Sequence, residues 1–201
     1  MRIFLKIISY LFHPLFIPIL GTLAYFIVTP KYSPKELQSG IMLPIFILTI
    51  IIPIIAFFIL KNIGLVTSIF MPNIKGRKYA FYISIILLLL ILIKVIPIYS
   101  IPEIYHFFLG FLSATFASLL LLFFNFKSSM HLMGMGSILM YVITLSIHFE
   151  INITLAIGLI TIATGLVATS RLYLKAHSKP ELFIGFLIGL MSQLLTIKSW
   201  L

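Results

Sequence analysis

The fold class that the sequence predicts is all-α: a polytopic membrane helix bundle of about seven transmembrane helices in a single domain spanning 1–201. Three observations predict it. The chain is 62% hydrophobic and 9% charged, with a mean hydropathy of +1.24, which is more apolar surface than one soluble domain can hide. Its apolar residues gather into runs near the ~20 residues that cross a ~30 Å hydrocarbon core as helix. Turn-forming residues punctuate those runs, as in Thr29-Pro30-Lys31-Tyr32-Ser33-Pro34.

In order, the runs fall near 10–29, 41–60, 79–97, 104–124, 131–148, 152–169 and 181–198. Pro14 and Pro18 in the first and Pro44 and Pro53 in the second predict kinks or late starts. Met71-Pro72-Asn73-Ile74-Lys75-Gly76 closes the second run, and Tyr99-Ser100-Ile101-Pro102 closes the third. A short, half-apolar turn at His148-Phe149-Glu150-Ile151-Asn152 separates the fifth from the sixth. Met1-Arg2-Ile3-Phe4-Leu5-Lys6 resembles a signal-peptide start, but no small-x-small cleavage site closes the run after it, so that run reads as a retained helix.

Charge narrows the partners. Fourteen Lys and Arg face four acids, Glu36, Glu103, Glu150 and Glu181, for a net charge of +10. The cations sit singly in short loops and form no continuous basic face, so anionic lipid headgroups fit better than nucleic acid. The absence of cysteine excludes disulfides, thiolate metal sites and thiol nucleophiles.

Seven crossings permit a parity argument. If the N-terminus lies on side A, the loops after the second, fourth and sixth helices also face side A. They carry Lys75, Arg77 and Lys78; then Lys127, Ser128, Ser129 and His131; then Arg171, Lys175, His177 and Glu181. Side B receives a sparser, mixed set that includes Lys31, Glu103 and His148. Most Lys and Arg fall on side A, which the positive-inside rule would put in the cytoplasm by a thin margin.

Ser170-Arg171-x5-His177-x3-Glu181 is the strongest local signal. Charged groups at the centre of a membrane helix cost about 2.5–3.5 kcal/mol each, so a cluster at a helix lip points to a site. A carboxylate four residues after a histidine can accept from one ring nitrogen and leave the other free to attack. Arg171 offers a fork suited to phosphoryl oxygens. A plainer reading competes, because Ser178-Lys179-Pro180-Glu181 is also a capping box with interfacial basic residues around it. Lys127-Ser128-Ser129-Met130-His131 places hydroxyls and free N–H groups at a helix start, an anion-binding arrangement beside a possible proton donor. Lys75-Gly76-Arg77-Lys78 alone reads as an orientation signal. His13 and His106, in or near apolar runs, read as hydrogen-bonded structural groups, and Gly185-x3-Gly189, with Gly134 and Gly136, as sites of close helix contact.

In order and spacing, the three motifs resemble the type 2 phosphatidic acid phosphatase superfamily, the lipid phosphate phosphatases that share a helical core with vanadium haloperoxidases. The family pattern is Lys-x6-Arg-Pro, Pro-Ser-Gly-His and Ser-Arg-x5-His-x3-Asp, and the resemblance covers about residues 70–190. It implies a lipid-phosphatase-like core in a multi-pass protein of the bacterial cytoplasmic membrane. The implied reaction is hydrolysis of a lipid phosphomonoester or pyrophosphate, from a phospholipid or prenyl phosphate, through a phosphohistidine, with no metal or cofactor. The same resemblance implies His177 as nucleophile, Glu181 as the group orienting it and His131 as general acid. Arg77, Arg171, Ser129 and Ser170 would hold phosphate, with Lys75 or Lys127 standing in for the first-motif lysine. The departures are Phe70 at that lysine, Lys78 for Pro, Ser128 and Met130 for Pro and Gly, and Glu181 for Asp.

Two alternatives stay open. A catalytically degenerate relative would bind an anionic lipid or a partner protein without turnover, and a homo-oligomer is compatible with either reading. A metal site built from His131, His177 and Glu181 is the other.

Overall fold

The computed structural model describes residues 2–66, 74–96 and 98–200. Phe70 and the expected turn through Met71, Pro72 and Asn73 lie outside the described residues. Among the described residues nine α-helices run in order: α1 (Arg2–Leu11), α2 (Ile17–Val28), α3 (Lys35–Phe46), α4 (Ile52–Asn62), α5 (Ile74–Lys94), α6 (Pro102–Phe123), α7 (Met130–His148), α8 (Thr154–Tyr173) and α9 (Lys179–Ile197). Taken as α1 with α2, α3 with α4, and α5 to α9, seven stretches among the described residues are long and apolar enough to cross a membrane.

The first stretch differs from the expected 10–29. Helix begins at Arg2 and breaks before Pro14, where Pro14–Phe16 form one 3-10 turn. Proline has no N–H to give the preceding turn, so α1 stops and the chain restarts as α2. The second stretch stays continuous but opens into a π turn at Ile47–Ile51, with Ile52 N–H donating to Ile47 O. Pro53 explains it: its ring crowds the carbonyl four residues back, at Thr49, and a wide turn relieves the crowding.

The helices α6, α7 and α8 end by the same device as α4, whose Gly64 has φ 77° and whose Leu65 N–H bonds Leu60 O. Asn125, Glu150 and Lys175 have φ of 58°, 54° and 52°. Behind them Phe126 N–H bonds Leu121 O, Ile151 N–H bonds Ser146 O and Ala176 N–H bonds Arg171 O. These are six-to-one closures that reverse the chain within a few residues. The closures after α6 and α8 set the chain segments that carry Ser128 and His177.

The core is centred on α6, α7 and α9. Phe107 and Tyr141 stack with ring centroids 4.4 Å apart, both essentially buried. Glycine is required where α9 crosses α7: a Cβ on Gly189 would collide with Met133 O, and one on Gly185 would lie 2.5 Å from Ser129 O. Backbones this close gain dispersion contacts that the bilayer cannot otherwise supply. Gln193 Nε2 donates to Phe107 O at 2.9 Å and ties α9 to α6.

The polar groups divide by end. At one end Lys31 pairs with the fully buried Glu103, and His148 Nε2 lies 3.3 Å from the same Glu103 oxygen. His106 Nδ1 donates to Pro102 O nearby in sequence. At the opposite end lie the N-terminus of α1, the start of α5, the loop before α7 and the turn between α8 and α9. That end holds the three sequence motifs.

Candidate functional site

The turn from α8 to α9 builds the first part of the site. Ser178 N-caps α9 in a full capping box, and its backbone N–H donates to Glu181 Oε2 at 2.9 Å. The same oxygen accepts from His177 Nδ1 at 2.9 Å. The two readings of this motif are therefore compatible, because one carboxylate oxygen caps the helix and fixes the imidazole tautomer. With the proton on Nδ1, His177 Nε2 carries the lone pair.

Arg77, one turn into α5, reaches across to that lone pair, with Nη2 3.4 Å from His177 Nε2. Its Nη1 donates to Ser128 O at 3.3 Å. One guanidinium thus joins residues from all three motifs. His177 is only 7% exposed, and its pKa is lowered from 6.5 to about 4 by burial first and then by the Arg77 charge, against the opposing pull of Glu181. The ring is neutral at pH 7, as a nucleophile must be.

Arg171 is buried at the end of α8, and its Nη1 donates to Ser9 Oγ at 2.6 Å. The next contacts of the group also go to α1: Ser170 Oγ donates to Leu5 O at 2.6 Å, and His131 Nε2 donates to Ser9 O at 3.1 Å. His13 stands edge-on to His131, ring centroids 5.3 Å apart at 81°. The first helix, outside the stretch that carries the family resemblance, therefore closes one wall of the site.

Two cavities meet there. One, of 320 Å³, is lined mainly by apolar side chains of α2, α4, α5 and α6, among them Pro18, Phe57, Phe81 and Phe111. Its polar residues include His13, Arg77, His131 and Arg171. The other, of 420 Å³, is lined by Arg2, Lys6, Arg77, Lys127, Arg171 and Lys175 together with Ser9 and Tyr10. Arg77 and Arg171 line both, so an apolar chamber and a basic one share a wall of two guanidiniums. His177 lines neither and lies behind Arg77.

Several candidates sit elsewhere than expected. Lys75 is exposed and lines neither cavity, because the first turn of α5 turns it away while Arg77, two residues on, faces inward. Of the two lysines that could stand in for the first-motif lysine, Lys127 borders the basic chamber. Ser129 is fully buried and lines neither cavity; its N–H donates to Glu181 O at 3.0 Å, so this part of the α7 N-terminus is already partnered. The Ser170 hydroxyl is committed to Leu5 O. The metal alternative required His131, His177 and Glu181 to converge, and no group of three such ligands occurs among the described residues.

Sequence reasoning missed Ser9 and His13 as site residues. A histidine directly before a proline inside an apolar run was the available signal, since an ionisable group at that depth is costly without a role. Comparison with protein-family models, curated proteins and solved structures finds no match for this chain.

Proposed function

We propose that the protein is a membrane phosphatase that hydrolyses a lipid phosphomonoester or pyrophosphate, with His177 as nucleophile, in the bacterial cytoplasmic membrane. The observation that carries this reading is the Arg77 bridge: a guanidinium suited to phosphoryl oxygens touches both the neutral, carboxylate-oriented His177 and the loop before His131. The two chambers support it, since a lipid phosphate has an apolar tail and an anionic head. The resemblance to the lipid phosphate phosphatases supports it through the order of the motifs.

In this scheme the tail occupies the apolar chamber and the phosphoryl group lies at the wall of Arg77 and Arg171 that the two chambers share. Phosphoryl oxygens draw Arg77 away from His177 Nε2, which uncovers the lone pair. His177 then attacks phosphorus in line. The N–P bond forms as the ester or anhydride P–O bond breaks, and Arg77 and Arg171 hold the equatorial oxygens as charge builds. His131 takes up a proton as the anionic head arrives beside it and gives that proton to the leaving oxygen. It then takes a proton from the water that hydrolyses the phosphohistidine. Glu181 stays ionised and supports the imidazole as it becomes cationic.

A non-catalytic reading has one observation in its favour. His131 Nε2 and Ser170 Oγ are bonded to the backbone of α1, so those donors must be released before they can serve a phosphate. One assay separates the two: phosphate release by detergent-purified protein from phosphatidic acid, phosphatidylglycerol phosphate and a prenyl pyrophosphate, with and without EDTA. The phosphatase reading expects release from at least one, unaffected by EDTA and inhibited by vanadate, which mimics the five-coordinate phosphorus. If none is hydrolysed while a phosphate-headed lipid binds and Arg171→Ala abolishes that binding, the protein is a lipid binder. EDTA-sensitive release would return the chemistry to a metal.

A further inference from the structure

We infer that His13, which belongs to none of the motifs, is a further substrate-contacting residue: a neutral imidazole whose Nε2–H donates to a phosphoryl oxygen held by Arg77 and Arg171. The inference rests on the phosphatase reading and adds a residue to it. The local sequence sets the ring's state. Pro14 ends α1, and His13 becomes the N-cap of the 3-10 turn with extended backbone, φ −66° and ψ 141°. Its Nδ1 accepts from Leu15 N–H at 3.3 Å. An accepting Nδ1 puts the single proton of a neutral ring on Nε2, so what the ring can offer a ligand is a donor.

Position makes that donor relevant. His13 lines the apolar chamber together with Arg77, His131 and Arg171, and its ring stands against His131. The hydroxyl donors expected for the phosphate are not available there: Ser170 Oγ is bonded to Leu5 O and Ser129 lines neither chamber. His131 Nε2–H is bonded to Ser9 O. Among these groups His13 is the one whose backbone-fixed tautomer leaves an N–H to give. A histidine kept at a proline break in a membrane helix solely as a cap would be an expensive choice, since Ser or Asn caps as well without an imidazole.

The cap and the donor can be separated. In His13→Asn the amide oxygen can replace Nδ1 as the acceptor for Leu15 N–H, but the side chain is too short to replace Nε2–H. In His13→Gln the amide N–H reaches nearer to the Nε2 position, and the cap is lost. Wild type, both variants and His13→Ala are purified in detergent, and thermal stability, vanadate inhibition and kcat/KM on a lipid phosphate and on a 4-nitrophenyl phosphate ester are measured. The expected result is that His13→Asn keeps the wild-type melting temperature and loses about 10- to 100-fold in kcat/KM, equally on both esters, with vanadate weakened to a similar extent. His13→Gln should recover part of that loss despite a lower melting temperature.

A His13→Asn protein that matches wild type in turnover and vanadate inhibition overturns the assignment. So does a loss confined to the lipid ester, which would make His13 the proton donor to the leaving group. If folded wild type neither hydrolyses either ester nor binds vanadate, the phosphatase reading itself falls and His13 with it.

Discussion

Arg77 Nη2 lies 3.4 Å from His177 Nε2, so the cation that would bind the phosphate rests on the lone pair that would attack it. In this arrangement the His177 ring is neutral and its Nε2 lone pair is covered. On the proposed reading, such a contact would guard a reactive nitrogen and hold Arg77 near the place a phosphoryl oxygen would take.

Removing that charge should raise the His177 pKa from about 4 toward 6.5. The measurement is the pH dependence of diethyl pyrocarbonate modification at His177, read by mass spectrometry. Wild type should keep its reactive neutral ring down to near pH 4 and react slowly because it is covered. Arg77→Gln should react faster at pH 7 and lose reactivity at a higher pH. An unchanged profile would mean that Arg77 does not govern this ring.

The same shift ties stability to pH. An unfolded chain protonates this histidine near 6.5 and the folded chain near 4, so between those values the unfolded state binds more protons. The contribution of His177 to stability is therefore fully present above pH 6.5, falls as pH drops toward 4, and levels below it. Melting temperature against pH in His177→Gln should lack that component of the slope.

Glu181 Oε2 serves His177 and the Ser178 N–H together. Glu181→Gln keeps an acceptor for the cap and loses the charge behind the imidazole. Its expected signature is a kcat lower by roughly 10²- to 10⁴-fold, the range for losing a carboxylate behind a catalytic imidazole, at an unchanged melting temperature. Glu181→Ala should lose about 1 kcal/mol of stability as well. Equal stability losses in the two variants would assign Glu181 to the cap alone.

The opposite end and the bundle centre should respond in stability and leave phosphate binding alone. Gly189→Leu forces a side chain into Met133 of α7 and should cost about 1–3 kcal/mol. Glu103→Gln removes the buried charge shared by Lys31 and His148 and should also cost about 1–3 kcal/mol. Thermal unfolding in detergent, with vanadate inhibition of the surviving folded fraction, checks both. Loss of vanadate affinity at full stability would show coupling between the two ends.

Much of this was legible in the chain and some was not, for physical reasons. Seven stretches long and apolar enough to cross a membrane followed from hydropathy, because such a span is a local property of about 20 residues. The His177–Glu181 pair was legible because residues four apart share a helix face. The helical start at Arg2 was hidden by its two cations, and the π turn by the absence of any residue code for a wide turn other than Pro53 itself. The wall formed by α1 was hidden most deeply. It depends on contacts across 122 and 162 residues, from Ser9 to His131 and to Arg171, which neither periodicity nor motif spacing encodes. Lys75 and Arg77 illustrate the same limit: both are basic and two residues apart, and the path of α5 decides which of them faces the chambers.

If His177 attacks phosphorus, a covalent adduct on its imidazole can be trapped and measured directly. Protein incubated with a radiolabelled lipid phosphate, quenched in alkali within the first turnovers and digested, should yield an acid-labile phosphohistidine on the peptide containing His177. The label should accumulate further in His131→Ala supplied with an ester whose leaving alcohol needs no proton, because the water step then stalls. Phosphate release at a normal rate with no label on His177, or release that survives His177→Ala, would contradict the account.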